Sequence, residues 1–243
     1  MGARTRLALP PHIGQDIFDD GGAMAPALAD RVAAMLRHAL GARGTASLVV
    51  SGGRSPVAFF RALAQRELDW ARVSVTLADE RWLPPEHPDS NAGLVRATLL
   101  RGAASVARFV PLYGGEASPE AGLAASARRL AAIARPFDVV LLGMGEDGHF
   151  ASLFPGVEGL AGMLAEAGPD VAAVHPPLAP HARLSLTLAA LLDARRVLVQ
   201  IHGARKRAVI EAAAAGADPA QHPIAALLQQ TRSPLQVFFG LSE

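Results

Sequence analysis

The sequence predicts an α/β protein: a mainly parallel sheet flanked by helices on both faces, a Rossmann-like three-layer sandwich. Two observations carry this expectation. Short apolar, often β-branched runs alternate with longer Ala/Leu-rich stretches of helical period, the pattern of strands joined by crossover helices. The short runs are also more uniformly apolar than alternating, as strands covered on both faces are. The 243-residue length suits one domain over residues 1–243, because α/β folds of this size commonly form around a single sheet.

Taken in order, residues 23–40 form the first expected helix, with Val32, Leu36 and Leu40 on one face and Asp30, Arg31 and Arg37 off it. ASLVV at 46–50 is the first strand, and SGGRSP then leads into a helix over 55–66, with Pro56 suited to its first turn. VSVTL at 73–77 is the next strand, followed by helices at 91–99 and 119–134 and the apolar run at 137–142. Further strands are expected at 171–175, 184–188, 197–201 and 235–239, with helices at 204–215 and 224–228. The proline-rich stretches at 82–88 and 175–180 are not read as linkers, since strand patterns continue on either side.

Composition narrows the partners. A formal charge of +1 provides no long-range field for nucleic acid or an anionic membrane, so any anion site must be built locally, for a small-molecule ligand. The absence of cysteine removes thiolate nucleophiles and thiolate metal sites, and the histidines lack metal-ligand spacing such as HExxH. Pro10, Pro11 and His12 interrupt the N-terminal apolar stretch before signal-peptide length, Arg6 breaks a myristoylation pattern, and no run of about 18 apolar residues is present. These observations predict a cytoplasmic enzyme, a monomer or weak homo-oligomer, without metal or organic cofactor. Of the 23 basic residues only Lys206 is lysine.

Chemically capable residues collect directly after strand-like runs, and in a parallel sheet those strand ends share one side, where ligands bind. Ser51, Gly52, Gly53, Arg54 and Ser55 combine permissive glycines with hydroxyls before a helix, a place for backbone N–H groups to meet an anion. The segment lacks Walker A spacing, and its plainer reading is a tight turn with a serine cap. Asp79 and Arg81, on an irregular loop ADERW, are candidates for the crevice, with Glu80 paired elsewhere; a surface charge cluster is the alternative. Asp89-Ser90-Asn91 either joins the site or caps the next helix. Lys206, in the first turn after Gly203, adds a point charge for a phosphate, against the alternatives of an exposed helix lysine or a Schiff-base amine. Arg183, opening RLSLTL, is either a bidentate phosphate ligand or a solvated edge arginine.

The segment LLGMGEDGHFASLFPG contains a literal GxGxxG, yet the dinucleotide reading fails on two counts. No carboxylate stands at a strand end about 20 residues on, and Glu146 and Asp147 would face a pyrophosphate. The glycines instead form a sharp turn presenting Asp147 and His149: a histidine that can take a proton from water beside a carboxylate that can orient it. Ser152 lacks a GxSxG elbow, so activated water is the expected attacking group.

The ordered segments SGGRSP, ADERW, DSN, LLGMGEDGHFASLFPG, RLSLT and HGARK, from Ser51 to Lys206, resemble the 6-phosphogluconolactonase family, part of a wider group with glucosamine-6-phosphate deaminases. The resemblance implies hydrolysis of 6-phosphogluconolactone, in the oxidative pentose phosphate pathway, with His149 as general base, Asp147 orienting it or contacting substrate, and Lys206 and Arg183 on the phosphate. Arg81 and the loop from Ser51 to Ser55 are implied as further ligand contacts. The chain departs from the family's SGGSTP at Arg54-Ser55 and from DGHTASLFP at Phe150; Arg54 either reinforces anion binding or turns outward. The rival deaminase resemblance is weakened by DGHFASLFPG in place of DGHIAFNEPG. A sugar-phosphate sensor would need a DNA-binding motif for which residues before Ala46 leave room only for one long helix.

Overall fold

A computed structural model describes residues 6–242. Of the N-terminal stretch read above, only residues 1–5 fall outside the described residues. In chain order the elements are β1 (Gly14–Asp20), α1 (Gly21–Arg43), β2 (Ala46–Val50), α2 (Val57–Ala64), β3 (Val73–Leu77), β4 (Asp79–Arg81), α3 (Asn91–Thr98), β5 (Arg108–Val110), α4 (Pro119–Leu130) and β6 (Val139–Gly143). They continue with α5 (Leu160–Met163), β7 (Val171–Val174), β8 (Arg183–Leu186), α6 (Leu188–Leu192), β9 (Val197–His202), α7 (Ala204–Ala214), α8 (Ile224–Gln229) and β10 (Leu235–Ser242).

Seven strands form a parallel sheet in the order β1-β10-β9-β6-β2-β3-β5, as the apolar runs require. β2 lies at its heart: every residue of ASLVV is buried, and each fully buried Leu or Val contributes roughly 1.5–3 kcal/mol. Helix α1 packs against α2, α2 against α3, and α7 against α8. Right-handed crossovers put the helices between β1 and β5 on one face and those between β5 and β10 on the other, giving three layers. Asp20 ends β1 and caps α1, accepting a 2.7 Å hydrogen bond from the Ala23 N–H.

This strand order creates a switch point. The chain leaves β2 towards β3 and leaves β6 in the opposite direction towards β9, although β2 and β6 are neighbours. Their crossovers lie on opposite faces, so a crevice opens between their C-terminal ends. The loops that follow these strands are SGGRSP and GMGEDGH.

Three expectations need correction. The strands expected at 171–175 and 184–188 are β7 (Val171–Val174) and β8 (Arg183–Leu186), but not of the main sheet: they form a separate three-stranded antiparallel sheet in the order β4-β8-β7. Asp79–Arg81 is therefore a strand and not an irregular loop; three residues with three charges carry no apolar signature of pairing. Finally, β1 and β5 were not expected as strands. β1 is a half-exposed edge strand bearing Asp16, Asp19 and Asp20, and β5 has only three residues, so neither shows the run of a doubly covered strand.

Candidate active site

The crevice at the β2/β6 switch point holds a cavity of about 160 Å³, lined by Ser51, Gly52, Gly53, Arg54, Ser55, Asp79, Arg81, His149, Arg183 and Lys206. All ten are residues singled out from sequence. That volume is small beside the roughly 300–1,000 Å³ of clefts for drug-sized ligands. It matches a compact polar ligand better than a dinucleotide.

The turn after β6 is built around its histidine. Gly145 donates its N–H to the His149 carbonyl at 2.8 Å, Gly148 adopts φ +81°, and the Gly148 carbonyl accepts from Ile224 N–H at 2.8 Å, which ties the turn to α8. A Cβ on Gly145 would overlap the His149 imidazole, so the glycine allows the ring to fold back over the turn. His149 Nδ1 lies 2.6 Å from Asp147 Oδ1, which also accepts the His149 backbone N–H at 3.1 Å. An ionised carboxylate only accepts, so Nδ1 carries the proton and Nε2 is the basic nitrogen. Burial by itself would raise the Asp147 carboxyl; the hydrogen bonds and charge of His149 outweigh it and hold Asp147 below its ordinary value. Phe154 packs its ring 4.1 Å from the imidazole centroid. Asp147 is hydrogen-bonded to the imidazole and is not among the residues that line the cavity.

The opposite wall is the small sheet. Arg81 and Arg183 face each other directly across the β4–β8 pair. Like charges opposed in this way are destabilising, and burial, with the Arg81 charge adding to it, lowers the Arg183 pKa against the opposing pull of Asp79. Asp79 offsets the cost: its Oδ2 is 3.7 Å from Arg183 Nη1 and accepts the buried Ser152 hydroxyl at 2.5 Å. Arg81 Nη1 donates to the Asp89 carbonyl at 2.5 Å. Glu80 points the other way, accepting from the backbone N–H groups of Asn91 and Ala92 at 2.7 Å each and clamping α3 to β4. Burial pushes the Glu80 carboxyl up to about 7 against the pull of these donors, with Asp79 adding to the rise.

Several buried polar atoms around the cavity have no protein partner: Ser51 Oγ, Arg81 Nε, Arg183 Nε and Asn91 Oδ1. Buried polar groups are otherwise nearly always satisfied, so their concentration here marks a place for a polar ligand. Among the described residues no group of three or more His, Asp or Glu is arranged to hold a metal.

The remaining expectations resolve individually. Ser55 does not cap α2; its N-cap is Pro56, without a side-chain bond, so the plain serine-cap reading fails. Arg54 is exposed yet lines the cavity. Ser90 caps α3, accepting from Gly93 N–H at 3.1 Å. Glu146 pairs with Arg205 at 3.3 Å, and the Phe150 side chain is buried in the core. Lys206 sits half-buried in the first turn of α7. Asn91 of the DSN segment lies in the lining, while sequence reasoning missed Ala151 there, Ser152 as the support of Asp79, and Phe154 against the His149 ring. Asn91 had the DSN motif as its signal; an apolar ring packed on a histidine has none.

Comparison with known proteins places the chain. The family model for glucosamine-6-phosphate isomerases/6-phosphogluconolactonase matches residues 19–236. A 6-phosphogluconolactonase from Rhizobium meliloti (strain 1021) is 47% identical over 92% of this chain and 97% of its own length. One from Pseudomonas aeruginosa is 45% identical over 97% and 98%. The crystal structure of a 6-phosphogluconolactonase from Shewanella baltica OS155 matches with a TM-score of 0.92 at 38% identity, covering 97% of this chain and all (100%) of that one. A monomeric glucosamine-6-phosphate deaminase, 17% identical with a TM-score of 0.76, shares the fold. By sequence and by structure, this chain belongs to the glucosamine-6-phosphate isomerase/6-phosphogluconolactonase family.

Proposed function

We propose that the chain hydrolyses 6-phosphogluconolactone to 6-phosphogluconate with water activated by His149. The observation that carries this reading is the Asp147–His149 pair, held at 2.6 Å by the turn after β6, facing a wall of two opposed arginines across one small cavity. His149 Nε2 takes a proton from water as the water oxygen attacks the lactone carbonyl, while Asp147 stabilises the imidazolium. The tetrahedral intermediate collapses with cleavage of the bond to the ring oxygen, which receives the proton from His149 and leaves as a hydroxyl. Donors of the crevice stabilise the oxyanion. Arg81, Arg183, Lys206 and the N-terminal end of α2 after the loop of Ser51, Gly52, Gly53, Arg54 and Ser55 hold the phosphate, which lies remote from the reacting carbon and serves positioning. None of these steps calls for a metal or organic cofactor.

On the same reading the enzyme acts in the cytoplasm as a monomer or weak homo-oligomer and takes a phosphorylated sugar lactone, not nucleic acid. The charge of +1 supports this, as does the lack of any described helix long and apolar enough to cross a membrane. The test is acid release from freshly prepared lactone against its spontaneous background, run beside ammonia release from glucosamine 6-phosphate. Acceleration of the first alone is expected. Ammonia without acceleration would make the chain a deaminase, and binding without either would make it a sensor.

A further inference from the structure

At the opposite, N-terminal end of the main sheet's strands lies a larger groove of about 760 Å³. It runs along α1 and beneath the N-terminal starts of β6, β9 and β10, a strand length of roughly 17 Å from the crevice. Its basic lining is Arg31, His38, Arg43, Arg195, Arg196 and Arg232. The single carboxylate there, Asp138, is already occupied: it pairs with Arg43, lies 3.4 Å from Arg195 and accepts the Ser47 N–H at 2.8 Å. Among the described residues Arg31, Arg196 and Arg232 form no ion pair; Arg196 and Arg232 reach only backbone carbonyls, of Arg195 and Glu166. Between these charges the lining is apolar, from Met35, Ala34, Pro136, Ala194 and Pro234.

A chain of net charge +1 thus concentrates uncompensated guanidinium groups on one concave surface, where field lines focus on an anion. Planar guanidiniums bind phosphate in bidentate fashion and stack on aromatic faces, and flat apolar patches cover a ring that water solvates poorly. The volume lies within the range of a small-molecule cleft. We propose that this groove is a second ligand site, for a nucleoside polyphosphate, with phosphates on Arg196, Arg232 and Arg31 and the base against Met35 and the prolines.

The experiment is calorimetric titration of the full chain with ADP, adenosine and inorganic pyrophosphate, repeated on Arg196→Ser/Arg232→Ser and on Lys206→Met. Saturable binding of ADP is expected, tighter than that of either fragment and weakened by added salt. It should fall about tenfold or more per arginine removed and persist in Lys206→Met. An unchanged thermal midpoint in the double variant shows that it is folded. No saturable ADP binding overturns the site. Pyrophosphate as tight as ADP overturns the nucleoside assignment, and ADP binding that survives the arginine changes but is lost with Lys206 moves the ligand to the crevice.

Discussion

The two walls of the crevice hold their functional groups by opposite means. On the main-sheet side, His149 and Asp147 sit on a turn shaped by Gly145 and Gly148, partly exposed, with few ties beyond their mutual hydrogen bond. On the small-sheet side, Arg183 and Asp79 are buried in strands and held by Ser152 and by the β4–β8 pairing. The first wall can be altered with little effect on the fold, because its geometry is local. The second couples site and stability, since each buried charge depends on its neighbour. The difference suits the division of labour we propose: a base must exchange protons with water, whereas an anion clamp works best preorganised and dry.

Changes on each wall break this comparison in order of size. Arg183→Met leaves Asp79 buried without its cation, and should cost about 3–5 kcal/mol of unfolding free energy in denaturant titration, together with a raised KM. Glu80→Gln tests the clamp behind that wall. Because burial raises Glu80 from 4.5 to about 7, the folded state holds a proton that the unfolded chain has released; its contribution is full below about pH 4.5 and is lost as pH rises through about 7. Unfolding measured across that window should show the variant losing about 3 kcal/mol less than the wild type as pH rises, after a constant penalty for setting an amide N–H against backbone N–H donors.

On the turn wall, effects should move from stability to rate. Gly145→Ala displaces the imidazole and should lower kcat about a hundredfold with a nearly unchanged thermal midpoint, as a misplacement near 1 Å would. Smallest is Lys206→Met: KM rising about tenfold, with kcat and stability nearly constant, in steady-state kinetics.

Legibility in the sequence followed the same division. β2 and β3 end where the apolar runs end, and the GMGEDGH loop could be read because a turn is encoded by contiguous glycines. The small sheet was not legible. β4 is three charged residues whose strand state depends on β8, a hundred positions away in sequence by order of magnitude, and local pattern carries no information on such pairing. Arg81 and Arg183 were nevertheless identified by their charge, while their direct opposition emerged only from the register. Ser152 was read for a nucleophile's surroundings, and its role as support of Asp79 depends on a contact 73 residues distant.

The central claim is that His149 acts on the chemical step while the arginine wall and Lys206 act on binding. Steady-state kinetics of His149→Ala on freshly prepared lactone, corrected for spontaneous hydrolysis, tests it most directly. The account predicts a kcat lower by about 10²–10⁴ with KM within a factor of about two of wild type. A raised KM with unaltered kcat would contradict it, making the imidazole a ligand contact and leaving the base to be found elsewhere.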